Sequence, residues 1–377
     1  MVKKLANINE NESRVIGRIA EVYKDHGLHF RHLKPGYIGD PGYRSEMGHV
    51  TVLVLRSLPD ASILHELPEL SYLKTLYIFM TRFPRLPDVF GSLQYLEWLD
   101  LDGLRLEEIP TSLCALKTLK HLVLAINHLK SLPSDFGGLE SLEELNLSKC
   151  RLKELPESFG ELKNLKTLDL SQNRLESLPE SFGKLESLET LDLRKNKLES
   201  LPESFGDLKN LWELRAEYNE IERLPDSFPE LKSLEVLGLQ ANKLVSLPQN
   251  FGGLSALKEL YLNGNNLSSL PPSFGDLKNL QLLYLDSNDL TSLEHIVPDL
   301  SGLRKLAVGR NKIGPIPESI SEMGNLEYLG LSFCELTSLP AGLGKIEKLR
   351  EITLYGNKVG DYPDEIKLRA PNLQIKR

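Results

Sequence analysis

Cysteine is scarce in this sequence, since only three cysteines, at positions 114, 150 and 334, occur among 377 residues. Cysteines so far apart form no paired framework, which argues against a small, disulfide-stapled secreted domain. The first fifteen residues also lack the apolar core of a secretory signal peptide. We therefore expect reduced thiols and a cytoplasmic protein.

A surplus of positive charge is missing as well, because 45 Lys and Arg face 53 Asp and Glu, a formal net charge of −8. Binding to a phosphate backbone relies on Lys and Arg clusters, so this acidic balance predicts no nucleic-acid partner. No apolar run approaches the roughly 20 residues that a bilayer-crossing helix needs, and we expect no membrane span. With 41% apolar residues the chain can nevertheless bury a large core.

Catalytic motifs are also missing: the sequence contains no GxxxxGK[ST], GxSxG, HExxH or CxxC. His26, His29 and His32 stand three residues apart, a spacing that could suit a metal site. Gly27 interrupts any helix that would align them, so we favour an ordinary loop. The sequence therefore predicts no enzyme, no cofactor and no metal.

What the sequence has in abundance is one 23-residue pattern, LxxLxLxxNxLxxLPxxxFGxLxx, which recurs fourteen times without an insertion. We number the positions of each repeat from its first apolar residue. These residues are Val50, Leu73, Leu96, Leu119, Leu142, Leu165, Leu188, Leu211, Leu234, Leu257, Leu280, Leu303, Leu326 and Leu349. One unit cannot bury its apolar face alone, so the repeats must stack.

Positions four and six are apolar in almost every repeat, and this period of two predicts a short strand with its leucines facing inward. Strands of successive repeats should pair in parallel. The Asn at position nine should satisfy backbone groups of the turns, and Cys150 and Cys334 occupy the same position. The return segment carries Pro, a bulky apolar residue and usually Gly, and is wider than the strand side. We expect the stack to curve into a horseshoe with a concave parallel sheet and a convex side of 3-10, irregular or short helical turns.

This pattern resembles that of the leucine-rich-repeat family, from Val50 to about Ile375. The LPxSFGxLxxL return is similar to that of intracellular Ras-group scaffolds and of bacterial arrays. The resemblance implies an α/β-type repeat solenoid that binds proteins, commonly in signalling or regulation. It leaves open that the chain is the recognition arm of a larger ligase, kinase or GTPase. An extracellular adhesion array would normally bring a signal sequence and cysteine-rich caps.

The segments outside the repeats are interpreted as caps. Asn9 or Asn11 should begin a helix that runs to about His26 and ends at Gly27, while residues 31–48 should form a loop. We expect residues 1–49 to cover the open end of the stack, with a partner-binding helix as the alternative. The fourteen repeats then occupy residues 50–371, and residues 372–377 add a closing strand.

The predicted binding surface is the concave face. Positions three, five and seven should point to it, with positions two and eight at its margins. Both tryptophans and six of the twelve tyrosines lie there, where no core needs them, and exposed aromatics among charges are typical of interface hot spots. For a single ring, packing on its neighbours is the alternative. The predicted residues are Tyr77, Phe79, Trp98, Asp100, Asp102, Trp212, Arg215, Glu217, Tyr218, Tyr261, Tyr284, Tyr328, Phe333 and Tyr355. Their acids favour a protein partner with basic patches, and we favour a monomer.

Overall fold

The structure is a computed structural model that describes residues 8–35, 38–58, 61–294, 296–297, 299–369 and 372–377. The chain divides into two compact units, Met1–Leu188 and Glu189–Arg377. In each unit, a strand residue pairs with the residue 23 positions later, as Leu99 does with Leu122 and Leu237 with Leu260. The repeat solenoid predicted from the sequence is therefore confirmed. The boundaries that we predicted for its caps stay a prediction.

The first unit begins with helix α1 (Glu10–Asp25) and continues as a sheet with short 3-10 turns on the return side. Its strands are β1 (Arg31–His32), β2 (Gly42–Glu46), β3 (His49–Arg56), β4 (Thr75–Phe79), β5 (Trp98–Asp100), β6 (His121–Val123), β7 (Glu144–Asn146) and β8 (Thr167–Asp169). Its 3-10 turns are Ala61–Glu69, Phe90–Ser92, Thr111–Ala115, Phe136–Gly138, Glu157–Glu161 and Glu180–Lys184.

The second unit repeats the same arrangement and contains the short helix α2 (Asp364–Lys367). Its strands are β9 (Thr190–Asp192), β10 (Glu213–Arg215), β11 (Val236–Gly238), β12 (Glu259–Tyr261), β13 (Leu282–Tyr284), β14 (Lys305–Ala307), β15 (Tyr328–Gly330), β16 (Glu351–Thr353) and β17 (Gln374–Lys376). Its 3-10 turns are Glu203–Asp207, Phe228–Glu230, Phe251–Gly253, Pro272–Asp276, Glu318–Glu322 and Ala341–Lys345. Strand β17 pairs with β16 and is the predicted closing strand. Among the described residues, no helix has both the length and the apolar character that a bilayer crossing requires.

The core consists of the columns that the repeat predicts. Leucines at positions four and six are almost fully buried, and phenylalanines of the return side stack on one another. The rings of Phe136 and Phe159 are 5.9 Å apart and nearly parallel, as are those of Phe251 and Phe274. A buried Leu or Phe side chain stabilises the fold by about 1.5–3 kcal/mol before the loss of conformational entropy. Every repeat adds such contacts to both of its neighbours within a unit.

The position-nine asparagines tie successive turns together. The amide nitrogen of Asn173 donates to the carbonyls of Leu147 and Leu170 at 2.8 and 3.0 Å, while its oxygen accepts from the Leu152 N–H at 3.0 Å. Cys150 lies at the same position, and its Sγ donates to the Leu124 carbonyl at 3.3 Å. The thiol therefore replaces one of the amide's hydrogen bonds, as the sequence pattern predicted.

Helix α1 forms where the sequence predicted a helix. Asn9 is its N-cap and accepts a hydrogen bond from the Glu12 N–H at 2.9 Å. One face of the helix is apolar and buried, and Gly27 follows the helix with a φ of +71°. The buried residues of that face include Val15, Ile16, Ile19 and Tyr23.

The loop predicted for residues 31–48 was wrong in part, because this segment contains β1 and β2. Strand β2 pairs antiparallel with β3 and β1 pairs parallel with β2, so the sheet extends beyond the first repeat. The turn between β2 and β3 is Met47–Gly48, and both residues have positive φ angles, 49° and 83°. Such a two-residue turn matches the twist of antiparallel strands. Met is an unusual residue in such a turn, so the sequence does not predict a hairpin here.

Position eight, in the turn that follows the strand, adopts the left-handed backbone conformation in all fourteen repeats. Only Gly103, Gly264 and Gly356 are glycines there, and the other repeats place a side chain in a region that L-residues rarely adopt. The most strained of these is Ile126, because a β-branched residue at a φ of +55° is an outlier. Its side chain is 49% exposed and therefore gains little from packing.

Replacing Ile126 with glycine is therefore expected to raise the free energy of unfolding by about 0.5–1 kcal/mol, since the strain that is removed exceeds the cost of a more flexible unfolded chain. Urea denaturation of both proteins measures the change. Gly264→Ala is the matched control, since a Cβ there meets only ordinary contacts, 3.6 Å or more away. We expect that control to lose about 1 kcal/mol through its backbone alone. Stabilisation by both substitutions would contradict the argument.

Candidate functional site

The side chains at positions three, five and seven cover the solvent side of the strands, and we call this surface the open face. The alternation of burial supports the prediction: Leu99 is buried, while its neighbours Trp98 and Asp100 are half-buried on the other side. The strands have the same pattern in the second unit, where Leu260 is buried between Glu259 and Tyr261. The open face is thus built from the residues that the repeat leaves variable.

In the first unit, the open face carries a row of rings. The ring centroids of Tyr77 and Trp98 are 6.3 Å apart, and those of Trp98 and His121 are 4.6 Å apart. His121 also lies 3.1 Å from a carboxylate oxygen of Glu144. The indole Nε1 of Trp98 is buried without a hydrogen-bond partner among the described residues.

Two acids flank the row. Burial raises the pKa of Asp100, and so does the neighbouring carboxylate of Asp102, while a hydrogen bond from the Asp102 N–H to Asp100 at 3.0 Å opposes the rise. Burial also raises the pKa of Asp102, against the attraction of Lys149. Both acids lie in a poorly solvated setting, so a cation that approached them would be held more strongly than at a fully exposed carboxylate.

Asp100 also has a structural role that recurs along the sheet. Its carboxylate accepts from the backbone N–H two residues later, at the end of the strand. Asn146, Asp169 and Asp192 do the same with the N–H groups of Ser148, Ser171 and Arg194, at 2.8–3.0 Å. These Asx turns help to end the strands, so the Asp or Asn at position five is partly a requirement of the fold.

Tyr77 and Phe79 are less open than their repeat positions suggest. Both rings pack against a small cluster of Leu33, Val52 and Val54, so that Leu33, from the segment before β2, lies over the first strands. The sequence pattern could not reveal this contact, because alternation shows only which face a residue occupies. Trp98, Asp100 and Asp102 lie beyond this cluster, in the next repeat.

In the second unit, two tyrosines at position five form a stacked pair. The rings of Tyr261 and Tyr284 are 5.2 Å apart and nearly parallel, as expected for equivalent positions of adjacent strands. The hydroxyl of Tyr261 donates to Glu259 at 2.9 Å, and burial together with this contact raises the pKa of Tyr261 to about 12. Gly238 and Ala307 are the strand neighbours of the pair, so the two rings form a ridge between small residues.

Charged groups precede this ridge. Arg215 pairs with Glu213 at 2.6 Å. Glu217 is only 8% exposed; one of its carboxylate oxygens accepts from Gln240 at 3.1 Å and the other has no partner among the described residues. Burial raises the pKa of Glu217, partly opposed by Arg194 and Arg215.

Other predicted residues lie at the margins of the open face. Tyr218 and Phe333 occupy the left-handed position eight, where they are 57% and 49% exposed. The guanidinium of Arg310 lies over the Phe333 ring at 5.0 Å, and a Cβ on Gly356 would collide with that ring. Trp212 lies at position two, directly before strand β10, and is 39% exposed.

The last repeats hold the remaining two rings. The hydroxyl of Tyr328 is 3.4 Å from that of Thr353, and Tyr355 is exposed. The structure thus gathers the predicted residues into a ring-and-acid group in the first unit, and a tyrosine ridge with aromatic margins in the second. Sequence reasoning missed the left-handed position eight, although the glycines at 103, 264 and 356 were a signal for it.

Among the residues that the structure describes, no three His, Cys, Asp or Glu side chains lie close enough together to hold a metal ion. His26 bonds to the Val22 carbonyl through its ring nitrogen at 2.8 Å, and His32 packs edge-on against Tyr43. These contacts account for two of the three spaced histidines.

Comparison with known proteins supports the repeat pattern. The family model described as leucine-rich repeat region matches residues 43–155 and 159–260, and a second model, leucine rich repeat, matches residues 232–290. No curated protein matches the chain.

Solved structures resemble the chain over most of its length. A leucine-rich-repeat protein of Leptospira interrogans is 31% identical, with 98% of this chain and 93% of that chain covered and a TM-score of 0.79. The PEPR1–AtPEP1 complex is 29% identical, with 88% of this chain and 49% of that chain covered and a TM-score of 0.74. The Arabidopsis receptor kinase HAESA, in complex with the peptide hormone IDA and the co-receptor SERK1, is 24% identical over 97% of this chain and 69% of that chain, with a TM-score of 0.64. At 24% identity, the likeness to HAESA concerns the fold alone.

Proposed function

The chain belongs to the leucine-rich-repeat family, whose members are generally non-catalytic binding modules, and we propose that it binds a protein partner on its open face. The observation that carries this proposal is the ridge of Tyr261 and Tyr284, two rings held parallel on a stiff sheet outside the core. Rings that are ordered before binding lose little side-chain entropy when a partner covers them, so their contact area contributes fully to affinity.

We propose further that the partner presents basic side chains. Asp100, Asp102 and Glu217 all have raised pKa values because burial disfavours their charged forms. A Lys or Arg from a partner would offset that cost by pairing with a carboxylate that water solvates poorly.

The biological setting is also a proposal. We favour a monomeric, cytoplasmic scaffold in signalling or regulation, which rests on the Ras-group resemblance of the repeats and on three free, buried cysteines. The alternative is a recognition arm of a larger ligase, kinase or GTPase.

The test uses a displayed library of random peptides, selected on the full chain. Peptides that bind should be rich in Lys or Arg, and Tyr261→Ala with Tyr284→Ala should weaken the tightest of them at least ~30-fold, as expected for two hot-spot rings. Fluorescence anisotropy measures the affinity. The fold should survive, because both rings are half-buried outside the leucine columns.

A matched control is available in the first unit. Tyr72 and Tyr95 also stack, with centroids 5.4 Å apart and an interplanar angle of 10°, but they precede the strands and lie off the open face. Tyr72→Ala with Tyr95→Ala should leave the affinity within about twofold, a change well below 1 kcal/mol. If both double variants lost the same affinity, or if neither substitution pair changed the affinity of the selected peptides, the open face would not be the binding surface.

A further inference from the structure

A second charged surface lies in the first unit, in the turns that follow the strands. Position ten is basic in six successive repeats, from Arg82 to Lys197, and we call the five of these residues that lie in the first unit the basic edge. Its residues are Arg82, Arg105, His128, Arg151 and Arg174. The four arginines are exposed and His128 is partly buried. The column is notable because the whole chain carries a net charge of −8.

The arginines of the basic edge have no salt bridge to any described residue, whereas two lysines at the same position in the second unit are paired. There, Lys243 pairs with Glu220 at 2.7 Å and Lys312 pairs with Asp289 at 3.2 Å, each exactly one repeat apart in sequence. Position ten can therefore alternate in sign and stabilise the stack. The first unit instead repeats one sign.

The surroundings of the basic edge do not supply the missing anions. Position eight of the same repeats carries Met80, Gly103, Ile126, Lys149 and Gln172, without an acid. Position twelve offers two glutamates and two lysines, which are Glu107, Glu176, Lys130 and Lys153. The pKa of His128 is lowered by burial and then by Arg151 and Arg105, with only Glu107 opposing, as expected in a positive local potential.

Stacked like charges carry a cost that an alternating column would avoid. The backbone N–H groups of Arg151 and Arg174 donate to the Leu129 and Leu152 carbonyls at 2.9 Å, so the strand spacing of ~4.8 Å continues through position ten. Like charges at such spacing disfavour the folded state, by a few tenths of a kcal/mol for each exposed pair. A column that destabilises its own stack is best explained by an external anion.

The basic edge also adjoins an apolar hollow of about 540 Å³. Met80 and Ile126 stand at its two sides, Gly103 lies between them, and Arg82, Arg105 and His128 border it. Met80 and Ile126 are 62% and 49% exposed in strained left-handed positions. The surface thus combines a line of positive charge with room for one apolar side chain.

We propose that the basic edge is a second binding surface and that its partner is a protein helix with a stripe of Asp and Glu and one apolar side chain for the hollow. The spacing favours a helix. Arg82 and Arg174 are four repeats apart, about 19 Å at the strand spacing. Four helical turns cover about 22 Å. In an extended chain, alternate side chains lie on the same side, and five of them span about 27 Å. Carboxylates at that spacing would not stay in register with the arginines.

The probe is a synthetic peptide of about five helical turns that carries Glu on one face and a single Leu beside it. Its control has the same composition, with the Glu residues distributed around the helix. Anisotropy with the full chain should give tighter binding of the striped peptide, weakening as salt rises. Arg105→Glu with Arg151→Glu should reduce that affinity at least ~10-fold. Lys243→Glu with Lys312→Glu changes the net charge equally and should stay within about twofold.

Each other outcome overturns the proposal. The proposal is wrong if the striped peptide does not bind or if both peptides bind equally. It is also wrong if both double variants lose the same affinity, because the basic edge would then not recognise a patterned acidic helix. Tighter binding of single-stranded RNA or heparin at the same salt would assign the edge to another polyanion. A dimer seen by sedimentation and abolished by Arg105→Glu with Arg151→Glu would assign it to a second copy of the chain. A lower melting temperature in that variant would mark the column as structural.

Discussion

Replacing Asn265 with alanine is expected to lower the free energy of unfolding by about 2–4 kcal/mol, because three buried hydrogen bonds are lost and the Leu244 N–H is left without its partner. Its amide nitrogen donates to the Leu239 and Leu262 carbonyls at 3.0 and 2.9 Å, and its oxygen accepts from the Leu244 N–H at 3.0 Å. Asn265 is only 5% exposed, so water cannot replace these bonds without opening the turn. Chemical denaturation of the wild type and the variant measures the loss.

The chain supplies the control for this experiment. In two repeats a cysteine stands at position nine, and the thiols of Cys150 and Cys334 donate to the carbonyls of Leu124 and Val308 at 3.3 Å. Leu239 is the equivalent of those acceptors for Asn265. Asn265→Cys should therefore keep one hydrogen bond and lose about 1–2 kcal/mol less than Asn265→Ala. Equal losses would show that the amide acts through its volume and not through its hydrogen bonds.

The parts of the fold that could be predicted are those that repeat. A buried Leu at position four or an Asn at position nine makes the same contacts in each repeat, so one physical argument applies to all of them. Equivalent residues of successive repeats have the same neighbours. For this reason strands one repeat apart pair, and phenylalanines one repeat apart stack. The structural role of Cys150 could be predicted for the same reason, since it follows from position nine and not from the chemistry of a thiol.

The parts that could not be predicted depend on contacts made only once. Strand β2 pairs with β3 because the tight turn at Met47–Gly48 brings the chain back alongside it. This segment is not part of a repeat and has no usual residue at the first turn position, so the sequence does not predict the pairing. Leu33 covers Tyr77 and Phe79 although it lies more than forty residues earlier in the sequence. The alternation of the strand placed both rings on the correct face, but it contained no information on what packs over them.

The candidate site shows the same limit. Position five was predicted to be a surface position, and the Tyr261–Tyr284 stack follows directly from two equal residues one repeat apart. The strand-ending role of Asp100 and the left-handed conformation of Tyr218 and Phe333 depend on backbone geometry, which hydrophobic periodicity does not report. The residues of the basic edge can be found in the sequence. That they lack salt bridges, unlike the paired lysines at the same position in the second unit, is seen only in the structure.

Replacing Glu12 with alanine is expected to destabilise the N-terminal end of the first unit by about 2–4 kcal/mol, since a buried, charge-assisted hydrogen bond is lost and a buried N–H is left unpaired. Glu12 is 1% exposed, and its carboxylate accepts from the Val50 N–H at 2.8 Å and lies 3.2 Å from His49. This contact joins helix α1 to the first residue of the first repeat. Terminal elements protect a repeat stack from opening at its end, so faster hydrogen exchange in α1 and β3 should report the loss.

Two further variants separate the hydrogen bond from other effects of the helix. Glu12→Gln retains an oxygen acceptor without the charge and should cost less than Glu12→Ala. Glu10→Ala removes an exposed acid of the same first turn and should cost only about 0.3–1 kcal/mol through the helix dipole. Exchange in β12 of the second unit serves as the internal reference. If β12 lost protection as much as β3 did, Glu12 would act on the stability of the whole chain, and its assignment as a local clamp between α1 and Val50 would be wrong.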